Sequence, residues 1–284
     1  MKKVLGLVVA IATVCAMGFS AAPAGSVGLD WQIRQELKLD KEPLDIASSA
    51  DGKWLFVLAP GEILVYPLTG GDSIAKIPVD PAMDRLSFSQ QDNCIVILSR
   101  TGKKVEIIEL QEVHDIDVSG LPFKGPENAP VVITIFTDYQ CPYCARLEPL
   151  ISQVLAKYPN QVKYVNKNFP LSNHKFARNA AIAALAAARQ DKFWEIHHKL
   201  YENMNALGDE KIRQIAVELG VNIEQWEKDM ADPAIGNLVT RDMVDAQRAG
   251  VRGTPSIYIN GKFLKNRSLE GFQAMIEEEL RRKQ

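Results

Sequence analysis

The sequence predicts a small all-β domain made of two propeller-blade-like repeats, followed by an α/β domain that carries a helical insertion. Three observations lead there. Short apolar runs separated by turn signals fill residues 30 to 110. A weak internal repeat relates the two halves of that region. From residue 131 onward, strand-like and helix-like patterns alternate.

A different kind of segment precedes both domains. "MKK" is followed by "VLGLVVAIATVCAMGF", sixteen residues without charge, and then by the small residues "SAAPAGS". A basic start, an apolar run and a small-residue end describe a secretory signal peptide, residues 1–24, cut after Ala24 with Ala22 completing the A-x-A site. A retained membrane anchor is the alternative, but the run is shorter than the roughly 20 residues a spanning helix needs. Cys15 reads as a discarded hydrophobe, because bulky Val14 precedes it and apolar sequence continues past it. The remaining chain is expected to be soluble and exported to the periplasm or cell envelope. With 46% hydrophobic residues, 24% charged residues and a net charge of −2, nothing favours a nucleic-acid partner.

Residues 25–112 form the expected β-rich repeat domain. "WLFVL", "EILVY", "SIAKIPV", "RLSFS", "CIVIL" and "KVEIIEL" are its strands, and "ADGK", "APG", "TGGD", "QQDN" and "RTGKK" its turns. "PLDIASSADGKWLFVL…GEILVYPL" echoes "MDRLSFSQQDNCIVIL…KKVEIIEL" at an offset of 40 to 42 residues. A period near 40 with about four strands suits a blade, yet two blades cannot close a propeller. The leftover sheet edges give a physical motive for a homodimer through this domain. Cys94, in "NCIVIL", reads as a small buried hydrophobe. Residues 113–128 lie in a stretch rich in Gly and Pro that has lost the strand pattern, and are expected to be a linker. Acidic residues outnumber basic ones before this point and basic ones predominate after it.

Residues 129–284 form the expected catalytic domain. "VVITIFT" is a β-branched run suited to a strand buried on both faces. "CARLEPLISQVLAKY" places Leu147, Leu150, Ile151, Val154 and Leu155 at helical spacing. "QVKYVNKNF" is a second strand. The insertion, about 172–250, opens with the alanine-rich "HKFARNAAIAALAAARQ", and Gly220 and Gly250 stop two of its helices. "SIYING" and "KFL" form a hairpin turning on Asn260-Gly261, and "SLEGFQAMIEEELRRK" is the last helix.

Cys141 and Cys144 stand where the first strand's loop enters the first helix of this domain. A helix start offers unpaired N–H groups and a partial positive charge, and both stabilise a thiolate. Cys141 is the expected nucleophile and leaving group, with Cys144, one turn on, resolving the mixed disulfide. Pro142 suits the first helical turn. Tyr143 packs over the pair or faces a partner. A structural zinc site is disfavoured: it needs four ligands, there is no second C-x-x-C, and the adjacent His197 and His198 should point to different helix faces. No metal is expected. An inert disulfide is the other alternative, and a loop this short restrains little chain entropy. Thr254-Pro255 precedes the hairpin. Asp138 and Lys167 are candidates for proton transfer or tuning, against a helix cap for Asp138 and a surface charge for Lys167. Phe193, Trp194 and Tyr201 have spacings that fit core packing.

"ITIFTDYQCPYCARLEP", "VNKNFPL", "NAAIAALAAARQDKFWEIHHKLYEN", "VELGVNIEQWEKDM" and "GVRGTPSIYINGK" together resemble the DsbA-like thiol:disulfide oxidoreductases of bacterial cell envelopes. The resemblance covers residues 129 to 282 and implies a thioredoxin fold. It implies that Cys141 and Cys144 cycle between dithiol and disulfide, that Pro255 is cis and faces the pair, and that the insertion borders a substrate groove. The redox-active disulfide is then the only cofactor. The partners would be cysteine-containing exported proteins and a membrane redox protein that resets the pair.

The direction of electron flow stays open. In the resembled family the strongest oxidants carry histidine between the cysteines, and Pro142-Tyr143 lacks it, so a milder oxidant is expected. Threonine before the proline and an extra N-terminal domain are also features of dimeric isomerases and reductases. Glutaredoxins share the Cys-Pro-Tyr-Cys pair, but an exported chain with this insertion does not suit them. The reading is therefore an oxidase-leaning oxidoreductase. A dimeric isomerase or reductase is the alternative, and a non-catalytic envelope binding protein the remote one.

Overall fold

The computed structural model describes residues 30–282, so the expected signal peptide and Cys15 lie outside the described residues. The chain divides into two compact units, Met1–Glu109 and Leu110–Gln284. No helix among the described residues is long and apolar enough to cross a membrane.

The first unit is all-β. Its strands are β1 (Asp45–Ser48), β2 (Trp54–Ala59), β3 (Glu62–Pro67), β4 (Ala75–Pro78), β5 (Arg85–Ser89), β6 (Cys94–Ser99) and β7 (Lys104–Glu109). The first repeat folds as a four-stranded antiparallel meander, β1-β2-β3-β4, and the second as a three-stranded one, β5-β6-β7. The central strands β2, β3 and β6 carry the buried residues, among them Phe56, Leu58, Ile63, Ile95 and Ile97. Cys94 is buried at the start of β6, as a small hydrophobe would be. About four strands per repeat were expected, and the second falls one short. The cause is local: after Glu109 the chain turns acidic, loses its alternation and enters the second unit.

The second unit is built on a five-stranded sheet in the order β12-β11-β9-β10-β8. Its strands are β8 (Phe123–Lys124), β9 (Val131–Thr137), β10 (Val162–Asn168), β11 (Ser256–Ile259) and β12 (Lys262–Phe263). β9 and β10 run parallel, and β11 pairs antiparallel with β9. Helix α1 (Pro142–Lys157) connects β9 to β10, as a parallel pair requires. The insertion comprises α2 (Ala177–Ala188), α3 (Phe193–Glu202), α4 (Asp209–Glu218), α5 (Ile223–Met230) and α6 (Pro233–Arg248), and α7 (Leu269–Arg282) ends the unit.

Two apolar clusters hold this unit together. One lies where α1 and α7 pack on the sheet, with Ile133, Ile135, Val154, Ile257, Phe272 and Ile276. The other joins the insertion to the site, running from Ala180, Ala184 and Ile196 to Tyr139, Cys141 and Cys144. Alanine suits α2 for more than propensity, because its small side chain lets neighbouring helices approach closely. The hairpin turns as its sequence demands, with φ of 46° at Asn260 and 79° at Gly261. A β-carbon at Gly261 would lie 2.2 Å from the His114 carbonyl oxygen, so glycine is required there on two grounds.

Residues 113–128 correct the expected linker. They belong to the second unit: Val113 bridges Lys262, and β8 pairs with Tyr164 and Val165 of β10. The Asp117 carbonyl accepts a hydrogen bond from Lys167, and the Ser119 carbonyl one from Arg241 at 3.0 Å. The glycines and prolines shape an edge strand and its approach instead of a flexible tether.

Candidate active site

β9 is buried along its length and delivers the chain to the site at Thr137. Asp138 then organises the turn. Its carbonyl accepts from the Cys141 N–H at 3.0 Å. Its buried carboxylate accepts from the N–H groups of Gln140 at 2.7 Å and Leu171 at 2.8 Å, and His174 Nδ1 lies 2.9 Å away. Asp138 therefore holds the turn before α1 and does not cap the helix, whose N-cap position is Cys141. Its backbone N–H favours the ionised form of Cys144.

Pro142 occupies the first helical position and Cys141 stays extended at φ −85°, ψ 116°. Both cysteines are thiols. The Cys144 thiol hydrogen-bonds the Cys141 sulfur and is the largest cause of that sulfur's acidity. Burial opposes it, and Thr254 and the backbone N–H groups of Cys144 and Tyr143 add to it. Together they pull the Cys141 pKa down to about 5. Cys144 is driven the other way, chiefly by burial and then by its bond to Cys141. Cys141 keeps 4% of its surface exposed and Cys144 only 1%, so the acidic sulfur is the outer one.

The Thr254–Pro255 bond is cis, and the Thr254 carbonyl oxygen lies 3.4 Å from Cys141 Sγ. Residues more than a hundred positions apart in sequence thus meet at one sulfur. Beside this loop is a cavity of about 440 Å³ lined by Arg252, Thr254, Pro255, Tyr258 and Arg267 among others. Tyr143 is 64% exposed and its ring lies 4.6 Å from the Arg146 guanidinium, so it faces outward and does not cover the pair.

Lys167 is not a surface charge. Its side chain is fully buried, with Asp245 Oδ2 at 2.6 Å, Asp242 Oδ1 at 3.2 Å and the Asp117 carbonyl as partners. Those partners anchor the end of β10 to α6, and none is a cysteine. Phe193 and Tyr201 are buried as expected of core residues, while Trp194 is partly buried with its ring 5.3 Å from that of Tyr164 at a tilt of 40°.

The sequence reading missed Glu148. It lies on α1 one turn beyond Cys144, between the rings of His197 and His198, at 3.2 and 3.3 Å. Burial raises its pKa, but the two imidazoles outweigh that and hold it down at about 2. The two histidines, expected to face apart, both reach this carboxylate. The i, i+4 spacing from Cys144 was the available signal. The partners on α3 carried none.

Comparisons with known proteins agree with this geometry. The family model described as Thioredoxin matches residues 119–278. Among solved structures, BdbD from Bacillus subtilis superposes with a TM-score of 0.53 at 24% identity, over 60% of this chain and 98% of that one. A thioredoxin-like oxidoreductase from Silicibacter pomeroyi gives 0.51 at 28% identity, over 58% and 94%. Among curated proteins, a Na(+)/H(+) antiporter NhaA 3 of Salinispora tropica is 34% identical over 162 residues, 57% of this chain and 24% of that protein. The aligned part is about a quarter of such relatives' length. The chain belongs to the thioredoxin family, and its second unit shares the fold of these structures.

Proposed function

We propose that this chain is an exported thiol:disulfide oxidoreductase that exchanges disulfides with cysteine-containing envelope proteins through Cys141-Pro142-Tyr143-Cys144, with oxidation as the favoured direction. The observation that carries it is the Cys141 sulfur: the outer of the pair, at a helix start, facing a cis-proline loop, with its pKa at about 5. Disulfide exchange proceeds by thiolate attack, and the more acidic thiol is also the better leaving group.

In the oxidative direction a substrate thiolate attacks Cys141 Sγ of the disulfide, and Cys144 leaves as a thiolate that takes up a proton. A second substrate thiolate attacks the substrate sulfur of the mixed disulfide and expels Cys141 as a thiolate. The substrate loses two electrons and two thiol protons; the pair gains both electrons and one proton, on Cys144, while Cys141 stays ionised and the other proton goes to solvent. A membrane redox partner then withdraws them. Burial of Cys144 favours its protonated state, so once expelled it is held as a thiol.

The acidity of Cys141 lies between about 3.5 for a strong oxidant and about 7 for a reductant, which supports a moderate oxidant. Equilibration with glutathione redox buffers tests this. A potential between about −120 and −200 mV supports oxidation, and one near −270 mV replaces it with reduction.

A second reading, a dimeric isomerase or reductase, is favoured by the first unit. Its edge strand β7 exposes Val105 and Ile107, at 63% and 68%. Sedimentation of the exported chain decides: a dimer that the substitution Ile107→Glu dissociates favours this reading, and a monomer removes its support.

A further inference from the structure

Below the dithiol, α1 and α3 bring together three side chains that disulfide exchange does not use. One ligand atom from each of Glu148, His197 and His198 lies within 4.8 Å of the others. We propose that these three residues bind a divalent transition metal of the Zn²⁺ type.

The spacing fits. Glu148 Oε1 is 3.2 Å from His197 Nε2, and Glu148 Oε2 is 3.3 Å from His198 Nδ1. Zinc bonds of about 2.0–2.2 Å in tetrahedral array set neighbouring ligands roughly 3.3–3.5 Å apart. Two imidazoles and one carboxylate suit zinc and its neighbours, whereas calcium and magnesium want oxygen alone.

The second, independent observation is His197. Its ring is fully buried, yet Nε2 makes no hydrogen bond with any described residue, although Glu148 is so close. Buried nitrogens are rarely left so. Its other nitrogen, Nδ1, is 3.0 Å from the Tyr139 hydroxyl. A donor on the far side of the ring is the arrangement that orients metal-binding histidines. In the tautomer whose Nδ1–H donates to Tyr139, the Nε2 lone pair points toward Glu148, and a cation there would take both as ligands. Glu148 and His198 keep 15% and 40% of their side chains exposed, which leaves a way in and a position for water.

One group competes. Lys124 Nζ lies 3.1 Å from His198 Nε2, on the ring edge away from Glu148. A metal on Nδ1 would share that ring with a second cation, so Lys124 should weaken binding without forming part of the site.

The site does not depend on the redox reading, and the test keeps them apart by using the untagged exported chain with Cys141 and Cys144 oxidised to a disulfide. Zn²⁺ is titrated against a chromophoric chelator, and Co²⁺ binding is followed by its visible absorbance. The expected result is one ion per chain with micromolar or tighter affinity. The Co²⁺ spectrum should lack a thiolate charge-transfer band. His198→Ala and Glu148→Gln should each weaken binding by at least about tenfold. Lys124→Met should bind more tightly than the unaltered chain. Should Glu148→Gln not fold, the more exposed His198 decides alone. Absence of saturable binding up to about 1 mM, or equal affinity in His198→Ala, would overturn the proposal.

Discussion

Cys141 and Cys144 stand at the two ends of one helical turn, and their surroundings act on them in opposite senses. At the mouth, N–H groups, the Cys144 thiol and Thr254 converge on the less deeply buried sulfur, and its pKa falls to about 5. On the floor, burial dominates and the thiol is held protonated. Sequence separation of three residues therefore says little about chemical separation. What matters is which sulfur the helix start addresses and which one the core covers. Each is also a cause of the other's shift, so the pair is polarised as a unit.

Serine at each position gives the largest effect and tests that polarity directly. Cys141→Ser should abolish both insulin reduction and oxidative refolding. Cys144→Ser should keep the attacking sulfur and accumulate mixed disulfides with substrate, visible on non-reducing gels. Trapping by Cys141→Ser instead would reverse the two roles. A chain that acts only by binding its partners would keep its effect in both variants.

The next test asks whether the polarity depends on the nearby buried charge cluster. Lys167→Met leaves Asp242 and Asp245 buried without their cation, at a cost of about 3–5 kcal/mol in urea unfolding. Burial already raises the Asp242 pKa against the pull of Lys167. Because Lys167 contacts neither sulfur, the pH midpoint of Cys141 alkylation should not move. A displaced midpoint would return Lys167 to the proton-transfer role that the sequence alone left open for it.

A smaller effect comes from pH. A thiol whose pKa is about 5 when folded and about 8.5 when unfolded stabilises the reduced protein fully above the unfolded value, and that stabilisation is lost as pH falls toward 5. Cys144, raised instead, keeps its contribution below the unfolded value and loses it as pH climbs beyond that point. The disulfide form titrates at neither sulfur. Thermal melts of the two forms should therefore show the reduced form gaining on the oxidised one from pH 5 to about 8.5 and falling back above it. A difference independent of pH would remove the contrast between mouth and floor.

Much of this contrast was legible in the sequence because it depends on local rules. The run "VVITIFT" announces a doubly buried strand, the C-x-x-C at a helix start announces the acidic sulfur, and Asn260-Gly261 announces the hairpin that carries the proline loop. What stayed hidden depends on partners distant in sequence. β8 is two residues long, too short for any period, and exists because Tyr164 and Val165 offer an edge. Lys167 is buried only because α6 presents Asp242 and Asp245, one turn apart, to the end of β10. Glu148 could be placed one turn from Cys144, but nothing in the sequence said that two adjacent histidines on α3 would straddle it.

The finest test changes one hydroxyl. The Cys141 thiol points at the Thr254 carbonyl and the buried Thr254 hydroxyl has no hydrogen-bond partner among the described residues, but that hydroxyl favours the ionised form of both sulfurs. Thr254→Val preserves the β-branched shape before Pro255 and removes the polar group. A hydrogen bond worth about 1 kcal/mol corresponds to somewhat less than one pKa unit. The alkylation midpoint of Cys141 should therefore rise by about half a unit to one unit, and the pair should become a correspondingly weaker oxidant. The backbone N–H groups and the Cys144 thiol remain, so Cys141 should still be the more acidic sulfur by a wide margin. If Thr254→Val instead brought Cys141 back to the ordinary thiol range, the proline loop, and not the helix start, would be the main source of the site's acidity.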